Sequence, residues 1–462
     1  MFALTLGLVS SATLPATTAV GDVANAARRR LDERLEWFQD LRFGLFIHWG
    51  IYSQWGCIES WPLVEEDAWA RPDGLACWEE RGRDMERFRR DYFALKSTFD
   101  PTAFDPALWA EEAKRAGMQY VVFTTKHHDG FSMFDTRQTD FRITAPGCPY
   151  SRSPQPDVVH SVFEAFRKQG FGIGAYFSKS DWHCPYYWWP GPPARTRNPN
   201  YDTHAEPQRW SRFVEFVRGQ VEELMTDYGP VDILWLDGGQ VRPPDQDIRM
   251  DRLAAMARSH QPDLIIVDRT VGGEYENYIT PEQEVPEEPL TDVVWESCIT
   301  MGTQWSYRPD DHYKSTHELI HLLVGIVAKG GNLLLNIGPG PDGRLPDVAV
   351  DRLRAIGAWM GVNAEAIHGT RPIAPYRSGD FAYTQKGGSV YATYLPPEGA
   401  DELSRRLVLT GFTPPPGARV RLLGTTRDLA YEVAAEGVVV TVPEGVAASP
   451  PCRHAYVLRW SR

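Results

Sequence analysis

The chain has 462 residues, 42% of them hydrophobic and 24% charged, a composition that supports buried cores and excludes a largely disordered chain. With 61 acidic against 48 basic residues, its formal net charge of −13 gives no electrostatic reason to approach nucleic acid or an anionic membrane, and a neutral ligand fits better. The six scattered cysteines show no zinc-type spacing, and no run of apolar residues is long enough for a spanning helix.

Residues 1–19 have a short apolar centre and a small-residue end but no basic start. They read either as a clipped or weak signal peptide, which predicts a secreted or periplasmic protein, or as a disordered extension of a cytoplasmic one. Residues 1–29 are therefore set apart from the fold. From Phe43 onward, short β-rich runs alternate with amphipathic stretches, the pattern of parallel βα units. Strands are predicted at 43–47, 119–125, 172–177, 232–236, 264–267, 293–296 and 333–336, with the eighth of a (β/α)8 barrel not evident. Helices are predicted at 106–117 and 158–170, each stopping at a glycine. Past residue 367 the texture changes to short strand-like runs (390–394, 406–409, 419–423, 437–442, 455–460) between Gly and Pro turns, as in a sandwich. The expected architecture is an α/β TIM barrel over residues 30–366 followed by an antiparallel β-sandwich over 367–462.

In such barrels the active site lies at the C-terminal ends of the strands, so the polar residues that follow each apolar run come first. They are His48, the segment Lys126-His127-His128-Asp129-Gly130, Ser178, Asp237-Gly238-Gly239 and Asp268-Arg269. Three histidines could ligate zinc, but adjacent His127 and His128 on one strand point to opposite faces and cannot share a metal without a bend. No metal or cofactor is expected, and either histidine alone could simply pack between strand and helix. Asp237 ends the apolar run Ile233-Leu234-Trp235-Leu236 and precedes two glycines, which exposes its carboxylate. Taken alone it would read as a solvated turn aspartate.

The runs FGLFIHWGIYS (43–53), YVVFTTKHHDGFSMFDT (120–136), DILWLDGG (232–239) and NLLLNIGPGPDG (332–343), in this order, resemble the α-L-fucosidases of glycoside hydrolase family 29. RLLGTTRDLAYEVAAEGVVVTVP (421–443) is similar to that family's terminal sandwich. The resemblance implies a retaining, exo-acting double displacement on terminal α-L-fucosides of a glycan or glycoconjugate. Asp237, in the W-x-D-G motif, would be the nucleophile, and Glu282 the acid, with Glu284 and then Glu296 as alternatives. Five glutamates lie between 276 and 288, so most of that loop is solvated acid whatever its function. The two carboxyl groups are expected about 5 to 5.5 Å apart, the separation that suits direct attack on the sugar.

The same resemblance makes His48, His127 and His128 ligands of sugar hydroxyls, Trp235 an aromatic wall, and Tyr176 and Arg269 stabilisers of developing charge. The alternative for Arg269 is a structural ion pair. Relatives carry a Glu-Trp-Tyr-like element in the first βα loop; here Glu59 and Trp61 are separated by an inserted Ser60, followed by Glu65-Glu66-Asp67. Glu59 and Trp61 are taken as its equivalents, and the change bears on the aglycone side. The competing functions are an α-L-galactosidase of the same family, a carbohydrate-binding protein that has lost catalysis, and a metal-dependent barrel hydrolase. Oligomeric state is left open.

Overall fold

The computed structural model describes residues 16–190, 195–399 and 403–461. Most of the stretch read as a signal, residues 1–15, lies outside them; a helix occupies Ala16–Leu41. Among the described residues no helix is long and apolar enough to cross a membrane.

Seven parallel strands, β1 (Phe43–Ile47), β2 (Tyr120–Lys126), β3 (Gly172–Ser178), β4 (Ile233–Asp237), β5 (Ile265–Asp268), β6 (Glu296–Thr300) and β7 (Asn332–Ile337), pair in the order β5-β4-β3-β2-β1-β7-β6. Helices cover the outer face and side chains fill the interior, which is why the strands read as continuous apolar runs. Every strand residue is buried except Asp237, the last of β4. Helix Pro106–Arg115 starts on Asp105, whose carboxylate accepts from the amides of Ala107 and Leu108. Helix Val158–Lys168 starts on Asp157 in the same way, through the amide of His160. Gly44 lets the interior close: a Cβ there would lie 2.4 Å from the Tyr120 ring.

The eighth stave is the segment 275–283, which fills the gap between β5 and β6 without forming a regular strand. On one side Asp268 N donates to Tyr275 O at 2.8 Å and Asn277 N to Ile266 O at 3.0 Å. On the other, Glu296 N donates to Ile279 O, Cys298 N to Pro281 O and Gln283 N to Cys298 O, at 2.9–3.1 Å. Pro281 has no N–H to give, and Gln283 has a positive φ of 54°, so the alternation that would mark a strand is broken. The sixth strand also differs from expectation, running 296–300 rather than 293–296. The apolar residues 293–295 lead into it, and Val293 is 48% exposed.

The C-terminal part contains β8 (Arg371–Ser378), β9 (Phe381–Lys386), β10 (Ser389–Tyr394), β11 (Arg406–Leu409), β12 (Arg419–Leu422), β13 (Asp428–Ala434), β14 (Gly437–Thr441) and β15 (Tyr456–Ser461). They pair antiparallel in the order β11-β14-β13-β12-β15-β10-β9-β8. β13 pairs with β12 through its first two residues and with β14 through the rest, so the sheet turns over at this strand. The two sections share one core, with Leu407 and Val440 among the same side chains as Val420, Leu458 and Trp460. Three strands, β8, β9 and β13, were not evident in the sequence. β8 carries Pro372 and Pro375, and β13 buries only one of its seven residues. Buried Arg42 ties the two parts together, donating to Gly330 O at 2.6 Å and to Thr370 O.

Candidate active site

The C-terminal ends of the barrel strands open into a cavity of about 930 Å3, and the ten side chains first assigned to catalysis or sugar binding line it: His48, Glu59, Trp61, His127, His128, Tyr176, Trp235, Asp237, Arg269 and Glu282. Asp237 is held from three sides. Its Oδ2 accepts the Tyr176 hydroxyl at 2.7 Å, and its Oδ1 accepts the Gly238 amide at 2.8 Å and Arg269 Nη1 at 3.2 Å. Burial opposes its ionisation, but Arg269, then His128 and the Tyr176 hydroxyl, outweigh burial and hold the carboxyl well below the usual range. It is a carboxylate at any pH near neutrality.

Arg269 also reaches Glu282 through Nη2 and Thr280 Oγ1 through Nε at 3.2 Å, while its guanidinium lies 5.2 Å from the Trp235 ring. One planar cation therefore bridges the two carboxylates. Glu282 sits on the irregular eighth stave with 42% of its side chain exposed, so it can swing while Asp237 cannot. Glu284 points to solvent and does not line the cavity. Glu296 is corrected in place: it begins β6 rather than ending it, and it lies in the barrel interior below the cavity. There it accepts Tyr120 OH at 2.7 Å, Trp235 Nε1 at 3.2 Å and Tyr278 OH at 3.3 Å, so it fixes the Trp235 wall.

The histidines are neutral and their tautomers are fixed from behind. Burial pushes His48 down to about 3 and His128 to about 4, and holds His127 well below its usual value. Asn336 donates its amide to Trp305 O at 2.7 Å, which turns its Oδ1 toward His48 Nδ1, also at 2.7 Å. Ser178 donates to Ser180 O, so its oxygen accepts from His128 Nδ1 at 2.6 Å. Both rings thus carry the proton on Nδ1 and offer a bare Nε2 to a hydroxyl donor. His127 Nδ1 lies 2.5 Å from Ser60 Oγ, so the inserted serine of the first loop positions this ring. The expectation that His127 and His128 face apart is overturned. β2 ends at Lys126 after a register shift, and the two rings sit side by side in the following turn, with centroids 4.3 Å apart. Among the described residues, no group of three His, Cys, Asp or Glu is arranged to hold a metal.

Glu59 is fully buried, accepts the Ser306 amide at 2.7 Å on Oε1 and leaves Oε2 without a protein partner. Burial raises it to about 7. Its φ is +35°, and the residues after Arg269 and Glu282, Thr270 and Gln283, also have positive φ. Strain in non-glycine backbone thus collects around the cavity. Sequence reasoning missed Asn336, a polar residue inside an apolar strand that could have been noticed. It also missed Trp69, Arg197, Arg242 and Arg308, which come from loops with no pattern to mark them.

Over residues 16–365 the chain matches the family model described as Alpha-L-fucosidase. The chain belongs to the α-L-fucosidase family. Among solved fucosidases it is similar to isoenzyme 1 of Paenibacillus thiaminolyticus, with 31% identity over 94% of this chain and 99% of that one and a TM-score of 0.74. The Thermotoga maritima fucosidase, solved with a mechanism based inhibitor, shares 27% identity over 92% of this chain and 96% of its own, with a TM-score of 0.73. Human tissue alpha-L-fucosidase is 27% identical, covering 92% of this chain and 88% of the human protein. The family model thus covers the barrel, and the matches to these relatives, at 92–94% of the chain, run on into the C-terminal strands.

Proposed function

We propose that this family member is a retaining, exo-acting α-L-fucosidase in which Asp237 is the nucleophile and Glu282 the acid and base. The observation that carries this reading is the single guanidinium of Arg269 between an ionised, largely buried Asp237 and a partly exposed Glu282. In the first step an Asp237 oxygen attacks the anomeric carbon, the glycosidic bond breaks, and Glu282 gives its proton to the departing oxygen. While it holds Arg269, Glu282 can only accept hydrogen bonds. It must therefore release Nη2 and turn into the cavity to serve as the acid. In the second step Glu282 takes a proton from water, which attacks the same carbon and frees Asp237.

The rest of the cavity suits a neutral polyhydroxylated ring. The bare Nε2 atoms of His48 and His128 and the unpartnered Glu59 Oε2 accept hydroxyl protons, and Trp235, which lines the cavity, adds apolar surface. The tautomers and orientations are set before the sugar arrives, so little reorganisation accompanies the transition state. The substrate class is a terminal α-L-fucoside of an oligosaccharide or glycoconjugate. The test is proton NMR of an aryl α-L-fucoside during hydrolysis: fucose released first as the α anomer supports the assignment, and β as the first product overturns it.

A further inference from the structure

We propose that Arg242 and Arg308 form an anion-binding rim that selects fucosides whose neighbouring unit carries a carboxylate or sulfate. This inference rests on the fucosidase reading above. The chain as a whole is acidic, yet the cavity mouth is not. Four arginines line it, Arg197, Arg242, Arg269 and Arg308, against three carboxyl groups, Glu59, Asp237 and Glu282. Arg269 is consumed by Asp237 and Glu282. Arg197 lines the wall but clamps Asp67 with two bonds of 2.9 and 2.6 Å. Burial raises Glu59 to about 7, so near neutral pH it carries only part of a full charge.

Arg242 and Arg308 are left over. Both are exposed, and among the described residues neither has a carboxylate within ion-pair distance. Among the described residues the only side-chain hydrogen bond of Arg242 is a long one, 3.5 Å, to Thr270 O. Of the acids nearby in sequence, Asp245 faces His204 at 3.1 Å, Asp247 faces Arg249 at 3.8 Å and Asp311 accepts the Thr303 and His312 amides, while exposed Asp310 forms no ion pair with either arginine. Two unneutralised cations at the mouth of a low-dielectric cleft focus a positive field there, against the sign of the protein's net charge.

Their position says which part of the substrate they meet. The inner cavity recognises its sugar through neutral histidines, a buried carboxyl and an indole, and its one cation is already bound to the two carboxylates. An anionic group is therefore accommodated at the rim, on the unit to which the fucose is attached. Trp69 offers that unit a surface: it lines the same cavity with 54% of its area exposed, and its Nε1 is fixed on Asp67 Oδ1 at 2.9 Å. A planar guanidinium matches a carboxylate or sulfate with paired bonds.

The experiment compares kcat/KM for 3- and 4-carboxyphenyl α-L-fucosides with the corresponding carbamoylphenyl fucosides, in the wild type and in R242Q, R308Q and the double variant. Within each protein the anion-to-amide ratio is the readout, and comparing proteins cancels the intrinsic difference in leaving groups. The double variant is expected to lower the ratio about two- to twentyfold, since each exposed ion pair contributes roughly 1.5- to fivefold. Salt at about 0.5 M should lower the wild-type ratio toward that of the double variant. A ratio that is the same in the wild type and the double variant, with both substrates turned over, overturns the rim while leaving the fucosidase reading standing. Failure of the wild type to cleave any of these fucosides overturns both.

Discussion

The Tyr176 hydroxyl donates to Asp237 Oδ2 at 2.7 Å from the neighbouring strand, so the proposed nucleophile is steadied by a barrel residue rather than by a loop. With Arg269 this bond keeps Asp237 ionised, and the two contributions can be separated by pH. Removing a donor to the carboxylate raises its pKa, so the acid limb of kcat/KM should move to higher pH. Arg269→Met should shift it further than Tyr176→Phe, because the guanidinium is the largest stabilising influence. Tyr176→Phe should also lower kcat about tenfold, the worth of one hydrogen bond to a charged group. A larger shift in Tyr176→Phe than in Arg269→Met would contradict this order.

Replacing Asp237 with Gly removes attack on every substrate, and kcat should fall about a thousandfold or more. Azide can then occupy the space of the carboxylate and attack the sugar directly. The product should be β-fucosyl azide, identified by NMR. Rescue that gave the α azide would place the nucleophile elsewhere.

Glu282→Ala should cost about a hundred- to ten-thousandfold on unactivated oligosaccharides, yet spare the first step for aryl fucosides whose leaving groups depart unprotonated. Azide should here intercept the accumulated fucosyl-enzyme and yield α-fucosyl azide. Glu284→Ala is the control, since that side chain is exposed and does not line the cavity. If it lost activity on oligosaccharides and Glu282→Ala did not, the acid assignment would move by two residues.

Glu296 links the barrel interior to stability. Burial, against the donors Tyr120, Trp235 and Tyr278, raises it to about 7 in the folded state. Between its ordinary value and about 7 the folded protein binds a proton that the unfolded chain does not. Glu296 therefore contributes most below the unfolded pKa and loses that contribution as pH rises to about 7, at most about 3 kcal/mol. The buried neutral histidines slope the other way at acid pH, so the variant must be compared with the wild type. Glu296→Gln, which mimics the protonated group, should match the wild-type Tm near pH 5 and exceed it near pH 8. Equal differences at the two pH values would rule out the linkage.

How much could be read in advance follows from local pattern. Six of the seven strands were legible because a strand covered on both faces is an apolar run ending in a polar residue, as with Leu236 and Asp237. The sixth slipped because residues 293–295 are apolar without being in the sheet. The eighth stave was invisible because Pro281 and the twist at Gln283 erase its alternation. Asp237, Arg269 and the histidines could be placed at strand ends. The shared guanidinium, the Ser60 contact to His127 and the rim arginines depend on loops brought together only by the closed barrel.

The irregular eighth stave has a thermal consequence. Asp237 ends a strand paired along its whole length with β3, and with β5 up to the residue before it, whereas Glu282 hangs on isolated bridges. Amides of segment 275–283 should exchange with solvent through local opening, well before those of β4. On heating, activity should then fade while the far-ultraviolet dichroism of the barrel is still intact, because the stave that carries the acid frays before the staves around it unfold.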